Sequence, residues 1–338
     1  MDKHDKELLN EIQWTFPLVT RPFDAIAKKF DTTTEFVKER LIQLKEIGVL
    51  RQLSAIFDTR KLGYTSSLVA MEIEDDKLEH VANQINRHPG VSHNYERDHQ
   101  FNLWFTLAVP PGSDLKKELE KFNVLTGIKK VRMLPTLQLF KIGVKLDMVE
   151  EKKHKVAPTE EKKIIKNIEF KPTEEDKNFI RELQKDMEII DEPFGKAAAN
   201  LGISEKELFE KMKYYEDIGV MRRFAAILRH RQVGFTANGM IVWKVPQDRI
   251  SEVGETLGSF PQVSHCYERP TYDDWPFNVF SMIHCKTHDE ANEMARSIQD
   301  QIHVDDYKIL FSSREFKKTR VEYFVENSFT LEETIPVS

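Results

Sequence analysis

The first fifty residues place apolar side chains at the spacing of three short helices. Leu8, Leu9 and Ile12 fall on one helical face, and the segment PFDAIAKKF continues the same periodicity. The third segment, VKERLIQLKEIG, ends at Gly48, and Asp31 or a following threonine is placed to cap its start. The pattern predicts three helices joined by short connections.

Beyond residue 58 the pattern changes to strands and helices in alternation. In chain order it predicts a strand (SSLVAMEIE), a helix (KLEHVANQINRH), two strands (VSHNYERDH and FNLWFTLAV), a helix (DLKKELEKFNVL) and a final strand (VRMLPTLQLFKIGV). A ferredoxin-like sandwich is the natural closure of this βαββαβ order. We therefore expect an α+β fold.

The whole pattern occurs twice in the chain. The matching blocks are DKELLNEIQ from residue 5 with DKNFIRELQ from 176, PFDAIAKKF from 22 with PFGKAAANL from 193, IGVLRQLSAIFDTRKLGY from 47 with IGVMRRFAAILRHRQVGF from 218, and PGVSHNYER from 89 with PQVSHCYER from 261. The first three pairs share an offset of 171 residues, and the last has an offset of 172. Such sustained register indicates a tandem duplication.

A charged segment with two prolines separates the copies, and we predict that it is a linker. The predicted domains are a first helix-turn-helix domain (winged-helix-like) at 1–58, a first ferredoxin-like domain at 59–149, the linker at 150–172, a second helix-turn-helix domain at 173–229, a second ferredoxin-like domain at 230–325 and a tail at 326–338. Three helices followed by such a domain resemble the Lrp/AsnC regulators, whose α+β domain binds ligands and dimerises. Two fused copies then imply an internal pseudo-dimer, and further homodimerisation stays open.

Charge argues against nucleic acid as the partner. The formal net charge is −6, whereas DNA-binding domains usually carry a basic surface. The third helix of the first copy balances three basic residues with three acidic ones, and that of the second copy, SEKELFEKMKYYED, has five acidic residues and three lysines. We therefore do not expect DNA binding.

The sequence also argues against a membrane protein, a disulfide-stabilised protein and a metalloprotein. No apolar run approaches the ~20 residues of a membrane-spanning helix, and the start of the chain has no apolar signal region, so we expect a cytoplasmic protein without membrane contact. Cys266 and Cys285 are not spaced as C-x-x-C, and His88, His93 and His99 are poorly spaced for zinc. The sequence therefore predicts reduced thiols and no metal site of the protein's own.

Two related strands carry the candidate chemistry. Because alternate side chains on a strand share a face, one face gathers an imidazole, a phenol and a guanidinium in each copy. The residues are His93, Tyr95, Arg97 and His99 in the first copy, and His265, Tyr267 and Arg269 in the second. Such a face suits an anionic, planar, metal-bearing ligand better than a core.

Aromatic and basic residues near these strands extend the candidate site. Trp104, Tyr272 and Trp275 are predicted to stack on a planar ligand, although aromatic residues also dominate ordinary cores. Arg222 and Arg223 are predicted to hold carboxylates.

The segments VSHNYERDHQFNLWFTL and VSHCYERPTYDDWPFNVFSMIH resemble the two subunit motifs of siroheme decarboxylases, the Lrp-like proteins of heme d1 synthesis and of the siroheme-dependent heme pathway. The resemblance implies a fused lyase that removes two acetate carboxyls of siroheme as CO2, giving 12,18-didecarboxysiroheme. Pro270, Tyr272, Trp275 and His284 occur only in the second copy, so we expect the second half to hold the main pocket.

The resemblance also leads to a hypothesis about roles. His265 and His93 would donate protons, or one of them would ligate the siroheme iron; the sequence does not separate these roles. Tyr267 and Tyr95 would relay protons, and arginines would orient carboxylates: Arg269, Arg97 and Arg222. No separate cofactor is required. Two alternatives stay open at this point: an Lrp/AsnC-type transcription regulator, and a tetrapyrrole sensor or carrier without catalysis.

Overall fold

The computed structural model describes residues 3–142, 169–228 and 237–325, which form two compact units. The first unit comprises residues 1–63 and 146–234 and holds both helix-turn-helix copies; the second comprises 64–145 and 235–338 and holds both ferredoxin-like copies. Most of the predicted linker, and the whole predicted tail, lie outside the described residues. The domain limits therefore stay predictions, while the secondary structure follows the predicted order in both copies.

The first copy consists of α1 (Lys3–Ile12), α2 (Pro22–Lys29), α3 (Thr34–Glu46), β1 (Leu50–Phe57), β2 (Thr65–Ile73), α4 (Leu78–Asn86), β3 (Val91–Arg97), β4 (Leu103–Val109), α5 (Leu115–Glu120), β5 (Ile128–Pro135) and β6 (Gln138–Ile142). The second consists of α6 (Glu174–Leu183), α7 (Pro193–Leu201), α8 (Glu205–Asp217), β7 (Met221–Leu228), β8 (Ala237–Trp243), α9 (Ile250–Ser259), β9 (Val263–Glu268), β10 (Val279–Cys285), α10 (His288–Ile302) and β11 (Tyr307–Lys318). None of the helices in the described part of the chain is long and apolar enough to cross a membrane.

In the first unit each copy forms the three predicted helices. Thr33 caps the start of α3, and Ser204 and Glu207 form a reciprocal capping box at the start of α8. A strand that the sequence did not predict follows each set of helices, and these strands, β1 and β7, pair with each other in an antiparallel ladder. The helix-turn-helix prediction is confirmed, and the two copies are joined strand to strand.

In the described part of the second unit, nine strands form one sheet with the order β5-β2-β4-β3-β11-β8-β10-β9-β6. The segments β5-β2-β4-β3 and β11-β8-β10-β9 each have the antiparallel order of a βαββαβ domain. The predicted ferredoxin-like fold is therefore confirmed in both copies.

The strand region at the end of each copy pairs with strands of both copies. The sequence predicted a single strand over VRMLPTLQLFKIGV, but the structure divides it: β5 pairs with β2 of the same copy, and β6 pairs with β9 of the second copy. Pro135 ends β5, because proline has no N–H group for the ladder. In β11, residues 307–311 pair with β8 and residues 312–318 pair with β3. The exchange holds the two copies together as an internal pseudo-dimer.

Among the described residues of this unit, three apolar clusters form the core. One lies under the helices of each copy, and the third, which we call the inner core, draws on both copies. The buried members of the inner core are Ala70, Phe101, Trp104, Leu134, Met240, Val242, Trp275, Phe277, Phe280 and Leu310. The rings of Trp104 and Trp275 lie 5.2 Å apart, which places aromatic contact at the junction of the copies.

Gly254 of α9 marks the point where β6 packs onto the second copy. A Cβ at this position would overlap the ring of Phe140. We expect Gly254→Ala to lower the free energy of unfolding by about 1–3 kcal/mol, because overpacking displaces the ring and the strand that carries it. Gly258→Ala on the same helix is the matched control, since a Cβ there meets its nearest atom at 3.4 Å. Chemical denaturation measures both variants, and equal stability would contradict this packing.

Candidate functional site

The strands β3 and β9 each have one face against the helices of their own copy. On this face Asn94 Nδ2 donates to Ala82 O at 3.2 Å, and Cys266 belongs to the helix-side core. Because side chains alternate along a strand, the predicted residues share the opposite face. We call them the first triplet (His93, Tyr95 and Arg97) and the second triplet (His265, Tyr267 and Arg269).

The members of each triplet lie close together. In the first triplet the ring centres of His93 and Tyr95 are 6.2 Å apart, and the guanidinium carbon of Arg97 lies 5.8 Å from the Tyr95 ring centre. In the second triplet the corresponding distances are 6.1 Å and 4.9 Å. The structure thus brings the predicted groups together twice, in the same arrangement.

The triplet arginines, of which Arg97 is buried and Arg269 is half-buried, make no ion pair with a carboxylate of the described residues. Arg97 Nη1 donates to Leu310 O at 2.7 Å, and Arg269 Nη1 donates to Leu134 O. Both Nε atoms are buried without a hydrogen-bond partner. Loss of hydration lowers the pKa of each guanidinium to about 10, so both stay charged at neutral pH. Since a buried unpaired cation is unfavourable, both positions are suited to receive an anionic ligand group.

A serine precedes each triplet histidine and contacts its ring. Ser92 Oγ lies 3.0 Å from His93 Nδ1, and Ser264 Oγ lies 2.9 Å from His265 Nδ1. Each contact fixes the orientation of the ring and leaves Nε2 as the nitrogen that the serine does not contact. These serines were not among the predicted site residues.

The His265 ring is closely surrounded by protein atoms, although part of it stays in contact with solvent. This burial, followed by the positive charge of Lys141, lowers the pKa of His265 to about 4. The ring is therefore neutral at pH 7, with one nitrogen as donor and the other as acceptor. Such a ring can pass a proton from one side to the other.

The low pKa of His265 has a consequence for stability. The unfolded chain binds a proton at this residue below pH ~6.5, whereas the folded chain does so only near pH 4. Above pH ~6.5 the neutral His265 ring therefore costs the folded chain no stability. As the pH falls from there toward 4, the unfolded chain gains a proton that the folded chain does not bind, and the free energy of unfolding falls. Between pH ~7.5 and pH ~5, we expect the unaltered chain to lose about 2 kcal/mol more unfolding free energy than His265→Gln. Chemical denaturation measures this difference, and an equal loss in both proteins would contradict the lowered pKa.

The strands beside the triplets differ in character. The second triplet is paired with Leu139 and Ile142 of β6, which are 38% and 48% exposed. The first triplet is paired with Glu315 and Lys318 of β11. The second triplet thus borders an apolar edge suited to one face of a macrocycle, while the first borders charged groups.

Three other predicted residues lie in or against the inner core. Trp104 and Trp275 are each 1% exposed, so direct stacking on a ligand is not available to them in this structure; that prediction is corrected to a packing role. β3 ends at Arg97, and His99 therefore leaves the predicted strand face. Its ring stacks on Phe101 and lies edge-on to Trp275, with centres 5.4 Å apart, and burial lowers its pKa.

Tyr272 belongs to a short insertion of the second copy that docks on β5. Its hydroxyl donates to Met133 O at 2.6 Å, and the guanidinium carbon of Arg132 lies 5.0 Å from its ring centre. Arg132 also forms a bidentate ion pair with Asp274, at 2.9 and 2.7 Å. These contacts hold the insertion against the first copy, and the predicted contact of Tyr272 with substrate stays a prediction.

Arg222 and Arg223 lie on β7, in the first unit and not in the unit that holds the triplets. Arg222 Nη2 pairs with Asp58 Oδ2 at 2.7 Å, and the Arg223 guanidinium carbon lies 4.1 Å from the ring centre of Trp14. Arg222 is thus already neutralised by a carboxylate. The structure gives no support to the predicted role of these two residues.

Sequence reasoning missed two asparagines that position the triplet arginines. The Asn102 side chain bridges the backbone N–H and C=O of Ile73, both at 2.9 Å, and Asn278 bridges those of Val245 at 2.9 and 2.8 Å. The backbone carbonyl of each asparagine accepts a hydrogen bond from the backbone N–H of the triplet arginine in the same copy. The available signal was the dipeptide FN, which both copies contain at this point.

Models of two protein families match this chain, each in both copies. The model described as AsnC-like ligand binding domain matches residues 61–141 and 232–317. The model described as siroheme decarboxylase NirDL-like HTH domain matches residues 5–51 and 176–222. The matches confirm the tandem duplication.

Individual proteins show the same similarity. The chain is 41% identical to the siroheme decarboxylase of Hydrogenobacter thermophilus, over 95% of each chain. It is 44% identical to the siroheme decarboxylase beta subunit of Methanosarcina barkeri, over 43% of this chain and 96% of that subunit. A crystal structure of the siroheme decarboxylase NirDL in co-complex with an iron-uroporphyrin III analogue has a TM-score of 0.73 and 36% identity, and the match covers 96% of this chain and 95% of that chain. Since one relative is a separate subunit of half the length, the chain corresponds to a fusion of two subunits.

Proposed function

The chain belongs to the siroheme decarboxylase family, and on that premise we propose that it removes two acetate carboxyls of siroheme as CO2. The product is 12,18-didecarboxysiroheme, an intermediate for heme or heme d1, and the enzyme is a carboxy-lyase. The observation that carries the proposal is the duplicated triplet, which combines a guanidinium whose Nε is buried without a hydrogen-bond partner with a phenol and an imidazole on one face.

Each residue type has a part in this reaction. Arg269 and Arg97 bind substrate carboxylates through charge-assisted hydrogen bonds, which compensate their own buried charge. Orientation by such a pair keeps the reacting carboxylate ionised and fixed. Tyr267 and Tyr95, next to the arginines, relay protons along the same face.

Departure of CO2 leaves the electron pair of the broken C–C bond on a methylene carbon attached to the macrocycle. Protonation of the conjugated ring system allows that charge to delocalise, so the step needs no separate organic cofactor. A proton then forms the new C–H bond and converts the methylene into a methyl group, and the ring system releases the proton that it had taken up. His265, and His93 in the first copy, donate that proton, because an imidazole carries an N–H group that can be transferred to a carbanion beside it.

Axial ligation of the iron in the substrate is the other role for one of these imidazoles. The visible absorption spectrum of bound siroheme separates the two roles. Loss of an iron ligand in His93→Ala or His265→Ala shifts the absorption bands, whereas loss of a proton donor leaves the bands in place and stops turnover.

Mass analysis of the tetrapyrrole after anaerobic incubation tests the proposed function. We expect loss of two carboxyl groups from siroheme, with release of CO2. Siroheme that stays bound but unchanged would overturn the proposal and indicate a carrier. A shift of duplex DNA in gels that weakens steeply with salt, without turnover of siroheme, would instead indicate a regulator.

A further inference from the structure

Ser264 contacts a second histidine besides its neighbour in sequence. Its Oγ lies 2.9 Å from His265 Nδ1 and 2.9 Å from His284 Nε2. It also lies 3.2 Å from Met282 O. His284 is on β10, which pairs with β9, and it is half-buried. One hydroxyl therefore connects two half-buried imidazoles.

The first copy lacks this connection. The residues paired with the two triplet tyrosines are Trp104 and Phe280. Four residues further along these strands, the first copy has Ala108 and the second has His284. The second histidine thus distinguishes the two triplets chemically.

A serine hydroxyl has a single proton and two lone pairs. Met282 O can only accept a hydrogen bond, so when the hydroxyl points toward it both imidazoles can donate to Oγ. When the hydroxyl turns toward His265 Nδ1, the His265 proton must sit on Nε2, the side that the serine does not contact. Rotation of this hydroxyl therefore selects whether His265 presents a proton or a lone pair at Nε2.

We propose that His284 is a positioning residue that supplies, through Ser264, the proton that His265 gives to the substrate. This inference rests on the proposed function, and it assigns the proton delivery path to the second half of the chain. The path ends on the face where Arg269 and Tyr267 lie.

The transfers balance for each CO2 released. The Nε2–H bond of His265 breaks as the methylene carbon uses its electron pair to form a C–H bond. Nδ1 of the same ring takes the Ser264 hydroxyl proton, and that oxygen takes the Nε2 proton of a protonated His284. His284 then regains a proton from solvent, and His265 returns to its first tautomer by exchange with water.

The surroundings of His265 create the need for such a path. A ring that is neutral at pH 7 is a weak acid at Nε2 unless Nδ1 gains a proton at the same time. The serine supplies that proton without adding charge to a poorly hydrated position.

Replacement of His284 by glutamine distinguishes a role in proton transfer from a role in holding Ser264 by a hydrogen bond. An amide can keep a hydrogen bond to Ser264, but it does not titrate. We expect His284→Gln to lower kcat at least about tenfold with little change in KM, and to change the solvent deuterium isotope effect on kcat. Ser264→Ala should have a similar effect, and the double variant should be no slower than either single variant, because all three interrupt one path. His288→Gln, at an exposed histidine of α10, is the matched control and should leave kcat unchanged.

A His284→Gln enzyme with unaltered kcat and isotope effect would overturn the relay, as would full additivity with Ser264→Ala. If the unaltered chain does not decarboxylate siroheme, the proposed function fails first. If the unaltered chain decarboxylates siroheme and His284→Gln is fully active, the relay is refuted and the proposed function still stands. Should His284→Gln prove unstable, Ser264→Ala still provides the test.

Discussion

His265→Ala is expected to slow CO2 release from siroheme by about 10²–10⁴-fold, the range for loss of a general acid. The physical reason is that this ring, held by Ser264 at Nδ1, presents Nε2 on the face that carries Arg269 and Tyr267. Binding of siroheme should persist, because the arginine and tyrosine remain. Single-turnover mass analysis measures the rate, and absorption titration measures the affinity.

His80→Ala is the matched control for this substitution, since His80 is an exposed histidine of α4 in the same unit. It should retain the rate of the unaltered chain. If His265→Ala decarboxylated siroheme at an unaltered rate, His265 would not be the proton donor. Chemical denaturation of each variant ensures that a loss of rate is not a loss of fold.

Arg269→Met is expected to weaken siroheme binding by about 10–100-fold, because a hydrogen bond to a charged group contributes roughly 1.5–3 kcal/mol. The same change should raise the free energy of unfolding by about 1–3 kcal/mol, because it removes a half-buried cation whose Nε is buried without a hydrogen-bond partner and which has no carboxylate partner among the described residues. Affinity and stability should thus move in opposite directions, as happens where function maintains an unfavourable group.

Arg296→Met, at an exposed arginine of α10, is the control and should change neither quantity appreciably. A purely structural Arg269 would behave differently. In that case its loss would lower stability and leave the affinity for siroheme unchanged.

Local periodicity was sufficient to predict the triplets and most elements. A period of two placed histidine, tyrosine and arginine on one face, because alternation within a strand depends only on the strand itself. The first two helices of each copy were likewise predictable from apolar spacing, and α3 and α8 from their caps and from the glycine that follows each of them.

Long-range strand pairing could not be predicted in the same way. Nothing in the residues around Pro135 specifies that β6 pairs with β9 of the other copy, because the partner of a strand is chosen by the assembled sheet. The pairing of β1 with β7 has the same origin. The burial of Trp104 and Trp275 follows from this assembly, since their contact exists only when the two copies meet.

The positions of polar groups around the triplets were also beyond sequence reasoning. Ser264 reaches His284 through strand register, although the two residues are twenty positions apart in the chain. The opposite case is Arg222, which was predicted from its charge to bind a substrate carboxylate. It is paired with Asp58, and both residues lie in the first unit and not in the unit that holds the triplets.

A crystal structure of the chain with siroheme bound is the most direct test of the site. We expect the macrocycle to lie against the second triplet, with an acetate carboxylate within hydrogen-bond distance of the Arg269 guanidinium and its methylene carbon facing His265 Nε2. A macrocycle bound away from both triplets would contradict the assignment of these residues to substrate binding and proton transfer.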